Sequence, residues 1–199
     1  MSTVIGDITM SVDGFVTGPG ADVEHGLGRD AEGLHAWALD SADPVDREEL
    51  RSLTAATGAV VMGRRTFDTV DAPGGWSEEL GYGADQDGRP PFFVVTSSRP
   101  DRVRLAGSHD FTFVLDGPAA ALRAAREAAG DRDVYVMGGG MLVGGCLAAG
   151  LLDRLRIHLS PEVLGRGTPL FAGAGRHRLV QRDVRVSASA THLTYDVRR

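Results

Sequence analysis

The 199-residue chain has no lysine and no asparagine, only three isoleucines and a single cysteine. Lys, Asn and Ile share AT-rich codons, so these shortages read as coding bias toward GC. They still have a chemical consequence. All 21 basic side chains are arginine, so no lysine can form a Schiff base or grip a phosphate. Any anion site must be built from arginine, backbone N–H groups or hydroxyls. The lone Cys146 excludes an intramolecular disulfide and a thiolate metal cluster. It lies on an apolar helical segment and reads as a small buried hydrophobe. No apolar run approaches the roughly 18 residues of a membrane span, so no membrane partner is expected. Ser2-Thr3-Val4 enters a strand-like pattern with no basic stretch before it, which points to no signal peptide and a cytoplasmic location. The net charge of -6 lacks the basic excess of a nucleic-acid binder. The histidines (25, 35, 109, 158, 177, 192) show no His-x-His or His-x-x-x-His pair, so no metal site is expected.

With 42% apolar and 24% charged residues, the composition is that of a globular protein long enough for one core. A single domain over 1–199 is the expectation. Val4 to Val16 reads as one long strand with a bulge or kink at Asp13-Gly14. Residues 17–29 are glycine-rich and irregular. Helices are expected over Ala31 to Ala38 and over Pro44 to Ala56, the second with Asp43 as N-cap, Pro44 at its first position and Gly58 as its close. Ala59 to Met62 is a short buried strand, followed by a helix from Gly63. Residues 71–89 read as a long surface loop, disordered or acting as a lid. Pro91 to Thr96 and Phe111 to Leu115 are strands, Pro118 to Ala129 a helix, and Val134 to Met137 a strand. Gly138-Gly139-Gly140 then opens a helix to about Ala149. Asp153 to Leu159 is a strand, 161–171 a turn-rich extension, and 178–187 with 190–198 a hairpin. Strands alternating with helices imply parallel pairing with right-handed crossovers. The fold class is therefore α/β, three layers, with a mostly parallel central sheet and an antiparallel C-terminal hairpin.

Ligands of open α/β sheets sit beyond the carboxyl ends of the strands. Three such ends here carry anion-binding chemistry. Gly63-Arg64-Arg65-Thr66 places two arginines and a hydroxyl at a helix N-terminus, where macrodipole and side-chain charge add. Thr96-Ser97-Ser98-Arg99 offers three hydroxyls and an arginine as a clamp for a terminal phosphate. Gly138-Gly139-Gly140 lets a pyrophosphate approach bare backbone. No Gly-x-Gly-x-x-Gly follows the first strand, and no Walker A motif is present. The pattern fits an anionic dinucleotide bound in another way.

Val60 to Phe67, Val94 to Arg99 and Val136 to Gly140 resemble the three cofactor segments of the dihydrofolate reductase fold. Ser11-Val12-Asp13-Gly14-Phe15-Val16, Leu151 to Leu155 and Pro161 to Phe171 are similar to one branch of it. That branch comprises the C-terminal reductase domain of bacterial bifunctional riboflavin-biosynthesis deaminase–reductases and its free-standing relatives. The resemblance implies NADPH as cofactor. Arg64, Arg65 and Thr66 would contact phosphates, Ser97, Ser98 and Arg99 would hold the adenosine 2′-phosphate, and Gly63 and Thr96 would belong to the same cofactor-binding segments. Gly138, Gly139, Gly140, Met141 and Leu142 would line pyrophosphate and nicotinamide, with a cis peptide at Gly138–Gly139. A homodimer is the family expectation.

Hydride transfer to a small heterocyclic or carbonyl substrate also needs a proton source. Dihydrofolate reductases proper carry a carboxylate on the first helix. Asp30 or Glu32 of Asp30-Ala31-Glu32-Gly33-Leu34-His35 would have to stand in, but the motif is not met, which counts against folate. Asp13 and His158 are the other candidates, each with a structural alternative, a turn carboxylate and a sheet-face histidine. Trp37 is a candidate for stacking on a flat substrate or for the core. The His-x-Glu and Pro-Cys-x-x-Cys pattern of a zinc deaminase is missing. Three readings follow: an NADPH-dependent reductase, with 5-amino-6-(5-phosphoribosylamino)uracil as one specific substrate and Arg176, His177 and Arg178 as a second phosphate cluster; an NADPH-binding protein without catalysis; or a dihydrofolate reductase-type enzyme.

Overall fold

The computed structural model describes residues 2–84 and 88–198. Eight strands form one sheet in the order β5-β4-β3-β6-β1-β7-β10-β9, with β1 Val4–Ser11, β3 Thr57–Gly63, β4 Phe92–Val95, β5 Phe111–Val114, β6 Asp133–Met137, β7 Arg154–Ser160, β9 Arg178–Val186 and β10 Thr191–Arg198. The first six are mutually parallel. β10 runs antiparallel to β7 and to β9, which forms the expected C-terminal hairpin. A small antiparallel pair, β2 Phe15–Thr17 with β8 Thr168–Pro169, lies apart from the main sheet.

The two faces of the sheet follow from alternation along each strand. In β1, Val4, Ile8 and Met10 turn to one side and join a core with Ala121, Leu122 and Ala125 of α4 (Gly117–Ala129) and Val143 and Leu147 of α5 (Gly140–Ala148). On the other side, Ile5 packs with Tyr135 and with Leu53 of α2 (Pro44–Ala56). Val60, Met62, Phe92 and Val94 pack there against Phe67 and Val70 of α3 (Arg64–Asp71). The short α1 (Ala36–Leu39), entered through a 3-10 turn at Glu32–His35, also lies on this second face, because its Trp37 donates to Thr9 Oγ1 of β1 at 3.0 Å. Helices on both faces of a mostly parallel sheet give the expected three layers.

Several expected boundaries move, each for a local reason. The strand from Val4 ends at Ser11. Gly14 takes φ +91° and returns its N–H to Ser11 O at 3.0 Å, so Asp13-Gly14 is a full turn that starts β2. The helix expected over 31–38 is a mixed-pitch piece over 32–39. α2 has the bounds read from sequence, and Asp43 caps it by accepting from Val45 N at 2.9 Å. Gly58 does not close that helix. Thr57 does, donating its hydroxyl to Leu53 O at 2.8 Å, and Gly58 lies within β3 where a Cβ would meet Ala129 at 2.8 Å. The described part of 71–89 is anchored away from the strand ends that carry the anion-binding segments. Tyr82 bonds Thr57 at the start of β3 at 2.6 Å, and Trp76 packs on Phe92, so this segment is no lid over that edge. Residues 85–87 of the same loop lie outside the described residues. No described helix is long and apolar enough to cross a membrane.

Candidate active site

Parallel pairing puts the carboxyl ends of neighbouring strands side by side. Gly63 pairs with Val95, Val61 with Val136, and Asp7 with Met137. Thr96 to Arg99, Gly63 to Thr66 and Gly138 to Gly140 therefore form one continuous edge, as the three-segment reading requires. Ser97, Ser98 and Arg99 are exposed there, as is Arg65.

The centre of this edge is built by a close approach. Gly138 and Gly139 take φ +68° and +74°, a conformation that glycine adopts without strain. A Cβ on Gly138 would stand 2.7 Å from Thr66 Cγ2, and one on Gly140 would stand 2.6 Å from Val16. Bare backbone thus allows the glycine turn to seat against the first turn of α3. The N-termini of α3 and α5 come together, and neither N-cap residue, Gly63 or Gly139, supplies a capping side chain. Uncapped N–H groups and two positive helix ends at one spot, flanked by hydroxyls and arginine, fit a pyrophosphate. Met141, the second residue of α5, is 73% exposed beside them, and Leu142 is half-buried. The turn is made in trans. No cis peptide occurs among the described residues, so the bend expected from a cis Gly138–Gly139 bond is supplied by the two positive φ angles.

Arg64 departs from the expected free phosphate ligand. It pairs with Asp68 at 2.7 Å and donates to Ser98 O at 2.8 Å and Thr96 Oγ1 at 3.3 Å. It ties α3 to the end of β4 and so shapes the edge, leaving Arg65 and Arg99 as the outward guanidinium groups. Gly26 approaches α3, since a Cβ there would meet Thr69 Cγ2 at 2.7 Å.

The structure separates the proton-donor candidates. Asp13 is exposed and engaged: Ser11 Oγ donates to it at 2.6 Å, Gly165 N at 2.6 Å and Leu164 N at 3.1 Å. The Ser11 hydroxyl and these amides hold its carboxyl below the usual carboxylate range, which is the turn-carboxylate alternative. Asp30 and Glu32 are exposed, and Arg176, His177 and Arg178 sit just before and at the start of β9.

His158 is 1% exposed on β7, under Trp37, whose ring stacks on it at 4.0 Å. One face of Trp37 is therefore taken up by His158. The two rings head a polar chain that sequence reading did not assemble. His158 Nδ1 meets His192 Nδ1 at 2.7 Å, His192 Nε2 meets Asp46 Oδ1 at 2.8 Å, and Ser41 donates to Asp46 Oδ2 at 2.5 Å. At the other end, His158 Nε2 lies 3.4 Å from both oxygens of Asp7. Asp7 also faces Arg156, which pairs with Glu49. Against desolvation, His158 and Arg156 hold Asp7 below the ordinary carboxylate range. Burial and the charge of His158 push the neighbouring His35 down to about 4. A signal for this cluster existed in β1: Asp7, Thr9 and Ser11 alternate with Ile8 and Met10, a polar row on one face of a buried strand. Cys146 is fully buried, and burial pushes its thiol up to about 11, so it is no nucleophile.

Comparison with known proteins bears on the family and the fold. Residues 2–195 match the family model of the RibD C-terminal domain. A curated relative, the uncharacterized protein YyaP of Bacillus subtilis, is 22% identical over 84% of this chain and 79% of its own. A proposed riboflavin biosynthesis protein of Shewanella sp. PV-4 superposes with a TM-score of 0.69 at 22% identity over the whole of both chains. A dihydrofolate reductase of Enterococcus faecalis, solved with NADP(H) bound, superposes with a TM-score of 0.57 at 14% identity over 99% of this chain and 97% of its own. The fold is dihydrofolate reductase-like.

Proposed function

The chain belongs to the RibD C-terminal domain family, and from that premise we propose that it is an NADPH-dependent reductase of a small heterocyclic or carbonyl substrate. 5-Amino-6-(5-phosphoribosylamino)uracil is the specific substrate to test first. The observation that carries this reading is the contact of Gly138 with Thr66, which brings two uncapped helix N-termini to one point of an edge lined by Arg65, Ser97, Ser98 and Arg99.

In this reading the N–H groups of Gly139, Gly140 and the first turn of α3 would hold the pyrophosphate. Ser97, Ser98 and Arg99 take the 2′-phosphate, which favours NADPH over NADH. Met141 and Leu142, at the start of α5, would line the cofactor. NADPH supplies the hydride when bound. The chain's own task is to exclude water, orient the acceptor and provide the proton. The buried carboxylate beside Met137 at the foot of the glycine turn is Asp7, with His158 behind it. We assign the proton to His158, acting through Asp7. Asp13 positions the 162–165 segment that crosses Val12, where Val12 N donates to Glu162 O at 2.8 Å.

The experiment is to mix the protein with NADPH and the ribosylaminopyrimidine phosphate and follow loss of the near-ultraviolet absorbance of the reduced nicotinamide. Oxidation of NADPH supports the reading. Tight NADPH binding with no oxidation by this or a panel of related acceptors favours the binding protein without catalysis.

A further inference from the structure

The chain Asp7–His158–His192–Asp46 has three polar gaps, at 3.4, 2.7 and 2.8 Å. Each gap needs one hydrogen, because two lone pairs facing each other in a dry interior repel. Two neutral imidazoles carry only two hydrogens. Every neutral arrangement therefore leaves at least one gap empty: a ring lone pair faces Asp7, or faces Asp46, or the two Nδ1 lone pairs face each other at 2.7 Å. With one more proton, every gap is filled. Because the rings meet through Nδ1 on both sides, neither can donate there without the other accepting. Among the described residues no cluster of three or more His, Cys, Asp or Glu is placed to hold a metal.

The surrounding charges ask for the same proton. Asp7, Asp46 and Glu49 bring three carboxylates to this face of the sheet. Arg156 pairs with Glu49 and Asp7, and Arg185 pairs with Glu49 at 3.2 Å, which makes two cations. One negative charge is left over, before the exposed Asp183 that shares Arg185 is included. The remaining groups facing the rings are neutral: Trp37 against both, His35 kept uncharged by burial and by His158, Ser41 and Ser187 on Asp46, and Tyr135 on Arg156. A second extra proton would put two hydrogens into the 2.7 Å Nδ1–Nδ1 gap, so the pair has room for one; burial and the charge of His158, against the Asp46 hydrogen bond, lower the proton affinity of His192.

Access is uneven. Side-chain exposure is 0% for Asp46, 4% for His192 and 2% for His158, but 12% for Asp7. Asp7 is the member that opens outward, and it is the one beside Met137 and the glycine turn. Ser41, half-buried and bonded to Ser189 at 3.3 Å, connects the far end toward solvent.

We infer that His158 and His192 hold one extra proton in common between Asp7 and Asp46, and that this proton leaves through Asp7 to complete the reduction. The inference rests on the reductase reading. The electrons balance: a hydride leaving the reduced nicotinamide, which is thereby oxidised, would bond to the acceptor carbon, the acceptor double bond would open onto its heteroatom, and the heteroatom would take this proton. Solvent refills the pair from the Ser41 side. His192 and Asp46 are then positioning residues, and neither touches substrate.

The test pairs 15N spectra of the histidine rings in the whole protein with the pH profile of kcat for NADPH and the ribosylaminopyrimidine phosphate. The expected spectrum shows one imidazolium proton shared by the two rings at neutral pH, with scalar coupling across the Nδ1–Nδ1 bond. Asp46→Asn removes the anion behind His192, so the pair should lose its proton about 1–3 pH units lower. The alkaline limb of kcat should move down by the same amount, with NADPH affinity unchanged. His192→Asn is the second variant, in which the coupling disappears and the limb follows His158 alone. Two neutral rings at neutral pH would overturn the inference. So would a limb that stays fixed in Asp46→Asn while the ring titration moves. Failure of the wild-type protein to oxidise NADPH would instead overturn the reductase reading and, with it, the release step; the ring spectra judge the shared proton separately.

Discussion

Replacing Gly138 by alanine tests the geometry of the glycine turn quantitatively. The new methyl group would stand 2.7 Å from Thr66 Cγ2 and 3.1 Å from Thr66 Oγ1. The first contact is about 1 Å inside the favourable separation of two carbons. Overpacking of that kind costs about 1–3 kcal/mol. The φ of +68° adds about 1–2 kcal/mol for an L side chain. The sum is a destabilisation of about 2–5 kcal/mol. Gly150 separates the two contributions, because it has φ +66° and nothing within 4 Å of an added Cβ. Gly150→Ala should cost only the backbone part. Thr66→Ser removes the Cγ2 that the new methyl would strike, so the double variant should recover much of the packing part. Urea denaturation measures all four proteins. Fluorescence titration with NADPH should show Gly138→Ala binding at least about tenfold more weakly, a loss of about 1.4 kcal/mol, because the turn and α3 can no longer close on each other. If Gly138→Ala is no more destabilising than Gly150→Ala, or Thr66→Ser recovers nothing, the close approach does not organise the site.

Asp13→Asn should speed amide exchange at Leu164 and Gly165, whose N–H groups it accepts, without moving the pH profile of kcat; a lost catalytic limb would restore Asp13 as the acid. Because the folded-state value of Asp13 is lowered, its contribution is present above the ordinary carboxylate pKa and disappears as pH falls through the folded one. Arg156→Met takes the guanidinium from Asp7 and leaves Glu49 with Arg185 alone, and should cost about 3–5 kcal/mol in urea denaturation; a loss below about 1 kcal/mol would contradict that burial argument. His35 falls from 6.5 to about 4 on folding, so the unfolded chain binds more protons between those values. Stability should therefore be full above pH 6.5 and decline toward pH 4, by up to about 3 kcal/mol less the share screened by solvent. His35→Gln should flatten that slope in melts run from pH 7 to pH 4.

Most of the scaffold was legible because it is written in short-range signals. Asp43-Pro44 opens α2 where a cap and a first-turn proline belong. The alternation in 178–198 gives β9 and β10. The anion-binding edge was legible for the same reason, since each of its segments is contiguous. What stayed hidden depends on pairing distant residues. Asp7, His158 and His192 lie on three adjacent strands and Asp46 on a helix, and only the register of β1, β7 and β10 brings them together. The engagement of Arg64 with Ser98 and Thr96 is hidden likewise, because it needs the β3–β4 pairing. The strand break at Asp13-Gly14 reads in sequence as a bulge or kink because Val12, Phe15 and Val16 continue the apolar pattern through a turn made by a positive-φ glycine.

The central claim is that the edge formed by Thr66, Ser97, Ser98, Arg99 and Gly138 to Gly140 binds NADPH. Isothermal titration calorimetry of the protein with NADPH, and in parallel with NADH, addresses it without any assumption about substrate. Charge-assisted bonds of about 1.5–3 kcal/mol to the 2′-phosphate predict micromolar NADPH binding, NADH binding at least about tenfold weaker, and loss of that difference in Arg99→Met. Absence of binding heat for both nucleotides at millimolar concentration, or equal affinity for the two, would contradict it.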